Sequence, residues 1–250
     1  MVILCLNALI FITQLYHGGL GLLFGESNIN SFQMFHTWGF IPVEWTTGTP
    51  FRNAVLPMGL NLDIATPLPT WSTILSSMFM HSSALHFGGN MAYLWVFGDN
   101  VEARLGHIKY AVFYIVCGVV AALSHWYFFR ESQVPLIGAS GAISGILGAY
   151  FLLYPYNRIK VLVIFYLITA IELQAMYVLG FYVLMQLYQL LFSFGVSQQT
   201  SVALWAHIGG FTAGLVLIAV YKSILGQPIW PNRNLRQPPK ITYWRGNKLD

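Results

Sequence analysis

The chain has 250 residues, of which 56% are hydrophobic, 16% aromatic and only 8% charged, with a formal net charge of +4. A soluble domain carries roughly 25% charged residues. This chain therefore cannot cover itself with a solvated surface, and its composition excludes an ordinary soluble enzyme or nucleic-acid-binding domain in favour of a multi-span membrane protein. Cys5 and Cys117 both fall in apolar runs and lack metal-ligand spacing, which fits buried free thiols and not a disulfide framework.

Six apolar stretches follow in chain order, at about 2–24, 70–97, 108–129, 140–154, within 161–194, and 204–221. A helix of about 20 residues crosses a bilayer. The first stretch has neither a basic leading region nor a small-residue cleavage site, so it reads as a span and not a signal peptide. Between the first two lies a large outer loop, residues 25–69, whose Phe32, Phe35, Trp38, Phe40 and Trp45 predict packing at the membrane interface. The fifth stretch is too long for one span, and Glu172 marks a break in it. Residues 161–171 are predicted to be a strand-like or interfacial entry segment, and 174–194 the helix. The expected fold is an all-α membrane protein, a six-transmembrane-helix bundle over residues 1–225 followed by a basic tail, 226–250.

Lys and Arg orient this bundle. Arg104, Lys109, Arg158 and Lys160 follow spans two and four, and Lys222, Arg233, Arg236, Lys240, Arg245 and Lys248 follow span six. Arg52 and Arg130 alone fall on the other side, and ten against two places both termini in the cytoplasm by the positive-inside rule. The compartment expected is a bacterial inner (cytoplasmic) membrane. In that orientation Ser140, opening span four, and His207, opening span six, share the outer level. A span of 15 residues rises only about 21 Å, against roughly 30 Å of hydrocarbon, so Ser140 is predicted to lie recessed. The irregular run Val134-Pro135-Leu136-Ile137-Gly138 must descend to it, which requires a protein interior or a wet cavity.

A hydroxyl and an imidazole at such depth are functional candidates. Serine needs an adjacent base, and imidazole suits that role. Gly141, Gly145 and Gly148 on span four, with Gly210 and Gly214 on span six, allow the two helices to approach closely. The Ser140 N–H, at the positive end of a helix, could stabilise an oxyanion. His86 and Asn90, four apart on span two, could supply further donors, or could be interhelical hydrogen-bonding glue. No carboxylate stands at that level, so a Ser–His dyad is expected, its imidazole oriented by an aromatic face or a backbone carbonyl. His81, His86 and His207 could form a three-ligand metal set, but neither a His-Glu-x-x-His motif nor a partner carboxylate accompanies them, and no metal or cofactor is expected.

Together His81…His86-x-x-x-Asn90, the run Phe97-Gly98-Asp99-Asn100-Val101-Glu102-x-Arg104-Leu105-Gly106, Gly138-Ala139-Ser140-Gly141, and Ala206-His207-x-Gly209-Gly210 with Gly214 resemble the rhomboid intramembrane serine proteases. The resemblance covers about 37–221 and implies Ser140 as nucleophile, His207 as general base, His86 and Asn90 as oxyanion helpers, and a structural role for His81. It further implies single-span membrane-protein substrates met within the lipid bilayer, without metal or cofactor. Ser72 after Trp71 departs from the Trp-Arg pair that many members carry, so the outer loop should be braced differently.

Two other readings compete. A non-catalytic member would bind transmembrane segments as a chaperone or degradation adaptor. A solute transporter would need inverted repeats and paired broken helices, which the sequence lacks. For a protease, substrate should enter sideways beside spans two and five. The aromatic fifth helix (Tyr177, Phe181, Tyr182, Tyr188, Phe192), with Gly180, Gln186 and Gln189 loosening its packing, and the 193–202 loop are the candidates to yield; on composition alone the aromatics could equally well simply face lipid.

Overall fold

The computed structural model describes residues 2–55, 61–164, 168–193, 198–232, 243–244 and 247–248. Helix α1 (Val2–Gly18) turns Ile3, Asn7, Phe11 and Gln14 inwards, at the three- and four-residue spacing of one helix face. Its other side exposes Leu9, Ile12 and Tyr16. The segment that follows is built, not loose. Helix α2 (Ile29–Trp38) starts at a reciprocal cap between Asn28 and Ser31, and helix α3 (Pro42–Thr47) and a short hairpin, β1 (Asn53–Val55) with β2 (Asn61–Asp63), follow. Phe35, Phe40 and Ile41 are buried.

The expected second span, 70–97, is corrected. Residues Thr70–Ser72 form a 3-10 turn and helix α4 (Thr73–Ser77) stops after five residues. Ser83 then caps a new helix, its side chain accepting the His86 N–H. From there α5 (Ala84–Tyr93), a π turn (Leu94–Gly98) and α6 (Asp99–Leu105) run without a gap to Gly106, whose φ of 79° ends the helix. The helical run thus begins and ends later than hydropathy suggests, and it continues through the buried Val101 and Leu105 and through Glu102 and Arg104, good helix residues although they are not apolar.

Helix α7 (His107–Phe128), α8 (Ser140–Leu153) and α10 (Gln198–Ile224) form the centre. Of the helices described, α7 and residues Leu204–Ile224 are long and apolar enough to cross a membrane, while Val2–Gly18, Ser140–Leu153 and Ala175–Leu191 are shorter apolar helices. Helix α8 is buried along almost its whole length, packed between α7 and α10. Glycine explains how closely. A Cβ on Gly210 would overlap the Gly141 carbonyl, one on Gly214 the Gly145 carbonyl, and one on Gly148 the Phe211 carbonyl. The α8 and α10 backbones are in direct contact, and α10 also packs on α7 through Gly209, whose Cβ would overlap Ser124.

The fifth stretch divides as expected. Strands β3 (Arg158–Ile164) and β4 (Ile168–Gln174) pair antiparallel, with Lys160 opposite Glu172, and helix α9 (Ala175–Ser193) follows. The 193–202 loop is corrected in part. Residues from Gln198 onward are already α10, since Gln-Gln-Thr-Ser-Val-Ala contains no helix breaker, so His207 lies in its third turn and not its first. Residues 194–197 lie outside the described residues.

Candidate active site

Ser140 is the first residue of α8, after Ala139 at the cap position, which supplies no capping side chain. The run leading to it is extended and tied down. Leu136 forms an antiparallel bridge with Phe40, with N–H to O distances of 2.8 and 3.0 Å, and the Gly138 N–H donates to the Ser77 carbonyl at 2.9 Å. Gly138 has φ 127°, a backbone conformation that favours glycine. A Cβ there would also stand 2.9 Å from His86 Nε2 and 3.6 Å from Ser140 Oγ. Glycine therefore keeps open the space that the imidazole and the hydroxyl both border.

His207 on α10 faces this point. Its Nε2 lies 2.8 Å from Ser140 Oγ, a hydrogen-bond distance. The two residues are 67 apart in sequence, and the backbone contact of α8 with α10 brings them together. Both side chains are half-buried. The imidazole has a second partner, Gln186 Oε1 on α9, 3.0 Å from Nδ1. This corrects the expectation of an aromatic face or a backbone carbonyl. The signal is in the sequence, since a polar residue within an apolar helix marks a site, although composition alone assigns Gln186 only a loosening of the packing.

His86, in the first turn of α5, has its Nδ1 3.3 Å from the Ser82 backbone N–H and 3.1 Å from Ser82 Oγ. A backbone N–H can only donate, so Nδ1 accepts and the ring hydrogen sits on Nε2. That N–H points to the space beside Gly138. Asn90, one turn later and buried, donates from Nδ2 to the His86 carbonyl at 2.9 Å, a bond within its own helix. His81 is fully buried, its ring edge-on to Phe11 and Phe87 and its backbone N–H and carbonyl both bonded by the Gln14 side chain at 3.0 and 3.1 Å. Among the described residues no three His, Cys, Asp or Glu side chains cluster as metal ligands do.

Trp71 is more than half exposed, and the 25–69 segment is braced by other contacts. Ser76 Oγ donates to the Trp38 carbonyl at 2.6 Å, Trp126 Nε1 donates to Thr46 Oγ1 at 3.0 Å, and the buried Glu44 accepts the Phe51 N–H at 2.8 Å. On α9, Tyr177, Phe181 and Tyr188 are all more than half exposed, so the structure turns these rings outward and not into a seam with α5. The Phe192 side chain lies outside the described residues.

Residues 69–224 match the Rhomboid domain family model. The chain is 36% identical over 95 residues to Rhomboid protein 1, mitochondrial, of Saccharomyces cerevisiae, covering 36% of this chain and 28% of that protein. It is 28% identical over 119 residues to Rhomboid protease GluP of Bacillus subtilis (48% and 23%), and 27% identical over 161 residues to Rhomboid-type serine protease 2 of Emericella nidulans (64% and 28%). The matched part spans less than a third of the length of each of these relatives. The domain match covers more than half of the chain, together with the helices that carry Ser140, His207, His86 and Asn90, and the chain belongs to the rhomboid family of integral membrane proteins.

Proposed function

We propose that the protein is an intramembrane serine endopeptidase that hydrolyses peptide bonds in or near the transmembrane segments of single-span membrane proteins. The observation that carries this reading is the 2.8 Å approach of His207 Nε2 to Ser140 Oγ. In the proposed reaction Ser140 Oγ attacks the scissile carbonyl carbon while its proton passes to His207 Nε2. The tetrahedral intermediate expels the amine, which takes that proton back from His207. Water then attacks the acyl-enzyme with His207 again as base, and Ser140 is regenerated. The developing oxyanion would be held by the free N–H groups of the first turn of α8 and by His86 Nε2–H, which borders the same space. Asn90 would complete that set with its second amide hydrogen, the first being bonded to the His86 carbonyl. No metal or cofactor enters this scheme.

The proposed architecture is a six-span bundle over residues 1–225, with the 25–69 segment on the outer side and the basic tail 226–250 inside. The excess of Lys and Arg after spans two, four and six supports cytoplasmic termini and a site that opens outward, as in a bacterial inner membrane. The 14 residues of α8 rise about 21 Å, less than the roughly 30 Å core. Ser140 would thus lie below the outer surface, and water would have to reach it through the space beside Gly138. The test is cleavage of a purified single-span substrate, with fluorophosphonate labelling, by the wild type and by Ser140→Ala. The wild type should cleave and label, and the variant should do neither. An equally active Ser140→Ala protein would leave a non-catalytic, segment-binding role as the better account.

A further inference from the structure

Helix α9 meets the centre of the molecule through the buried Ala175 and Leu179 and through two polar side chains. Tyr182 and Gln186 stand four residues apart and so leave the same face of the helix. The Tyr182 hydroxyl is 2.7 Å from Ser144 Oγ, and Ser144 Oγ donates its one hydrogen to the Ser140 carbonyl at 2.8 Å, so Tyr182 is the donor in the first bond. Gln186 Oε1 is 3.0 Å from His207 Nδ1. Away from this face α9 is bare: Phe181, Leu184 and Leu191 are all more than 60% exposed, and a Cβ on Gly180 would meet nothing.

The Gln186 contact fixes the state of the imidazole. An amide oxygen can only accept, so the hydrogen of the neutral ring must be on Nδ1. The lone pair is then on Nε2, which faces Ser140 Oγ. A base that takes the serine proton needs that tautomer, and soluble triads fix it with a carboxylate. An ionised carboxylate at membrane depth is costly. A neutral amide provides the acceptor without a buried charge.

We propose that Gln186 is the positioning residue of the Ser140–His207 pair, accepting the Nδ1 hydrogen of His207, and that the seating of α9 against α8 and α10 thereby sets the competence of the base. This rests on the reading of Ser140 and His207 as nucleophile and base. When Ser140 gives its proton to Nε2, the imidazolium keeps its Nδ1 hydrogen bonded to Gln186 Oε1, and no proton passes to the amide. If α9 tilts away, the ring loses that partner and is free to turn. A substrate segment that displaces α9 must therefore let it reseat before proton transfer.

The experiment compares wild type, Gln186→Glu, Gln186→Leu and Gln186→Met in the full chain, reading fluorophosphonate labelling rate, kcat and KM on a single-span substrate, and thermal unfolding. Gln186→Leu and Gln186→Met should lose roughly 10- to 100-fold in labelling rate and kcat, the range for a hydrogen bond to a group that becomes charged in the transition state. KM should stay within about twofold, since the bond is tightened as charge develops. Gln186→Glu keeps the acceptor and should stay within about tenfold of wild type. A packing role gives the opposite order, because leucine suits an apolar contact and a carboxylate does not. The proposal is overturned if the folded leucine and methionine variants label and turn over at the wild-type rate, or if Gln186→Glu is the worst of the set. A folded wild type that does not label at all overturns the reading of Ser140 and His207 itself, and this proposal with it.

Discussion

The contact of α8 with α10 and the contact of α9 with both are built in opposite ways. In the first, Gly210 and Gly214 bring one backbone against the carbonyls of Gly141 and Gly145, leaving no space for a side chain. In the second, a helix with exposed Phe181, Leu184 and Leu191 buries Ala175 and Leu179 and adds polar bonds from Tyr182 and Gln186. The first fixes the separation of Ser140 from His207 by close packing, which tolerates little displacement. The second adds the bond that orients the imidazole. Distance and orientation at this site are thus assigned to different helix contacts.

The largest effect expected is that of the pair itself. Ser140→Ala, His207→Ala and the double variant should all fall to the same background in a substrate-cleavage assay, since members of one catalytic unit are grossly non-additive. A double variant much less active than either single one would mean the two residues act separately. Next comes the rigid contact. Gly214→Leu places a branched side chain against the Gly145 backbone, and overpacking costs about 1–3 kcal/mol or more. Thermal unfolding should show a lowered midpoint together with lost activity, and a variant with wild-type stability and turnover would remove the argument from close packing.

His86→Ala should reduce kcat by roughly 10²–10³ if its Nε2–H is an oxyanion donor, with little change in unfolding. Wild-type kcat would reduce His86 to a packing residue beside Gly138. Tyr182→Phe sharpens the comparison on the α9 side. It deletes the bond to Ser144, and such interhelical bonds average about 0.6 kcal/mol in membrane proteins. A loss of a few-fold in kcat, with hydrogen–deuterium exchange raised in α9 and not in α8, is the expected result. Equal exchange in both helices would argue against separate attachment.

The smallest effect lies in the 25–69 segment, away from both contacts. Burial raises the Glu44 carboxyl above its ordinary value of 4.5, opposed by its bond to the Phe51 N–H. The folded state thus prefers the protonated acid, so its stability is greatest at low pH and falls as pH rises above 4.5. Glu44→Gln should unfold at a slightly higher temperature than wild type at pH 7. The difference should vanish on acidification below the ordinary carboxylate range.

Much of this was legible along the chain, for identifiable reasons. Ser140 and His207 stand out because polar groups are costly beside long apolar runs. The small residues between them stand out because few other features let helix backbones touch. The break at Glu172 was visible for the same reason of cost, and β3 and β4 occupy the segment before α9. The boundaries of the helical run 84–105 were not legible, because apolarity ends at Phe97 while good helix formers such as Glu102 and Arg104 continue beyond it. Likewise the polar start of α10 reads as loop by hydropathy and is helix by propensity.

The sequence by itself determined that the chain is a membrane protein, that Ser140 and His207 are its candidate chemistry, and that glycine lines the helices carrying them. These are properties of single residues in their local surroundings, and burial cost acts on each residue separately. Only the tertiary structure decided that Gln186 is the partner of His207 Nδ1, that Ser82 directs the His86 hydrogen to Nε2, and that Asn90 spends one amide hydrogen on its own helix. A hydrogen bond depends on distances of a few tenths of an ångström between helices far apart in sequence. Spacing along one chain carries no such distance, and it is set only when the helices pack.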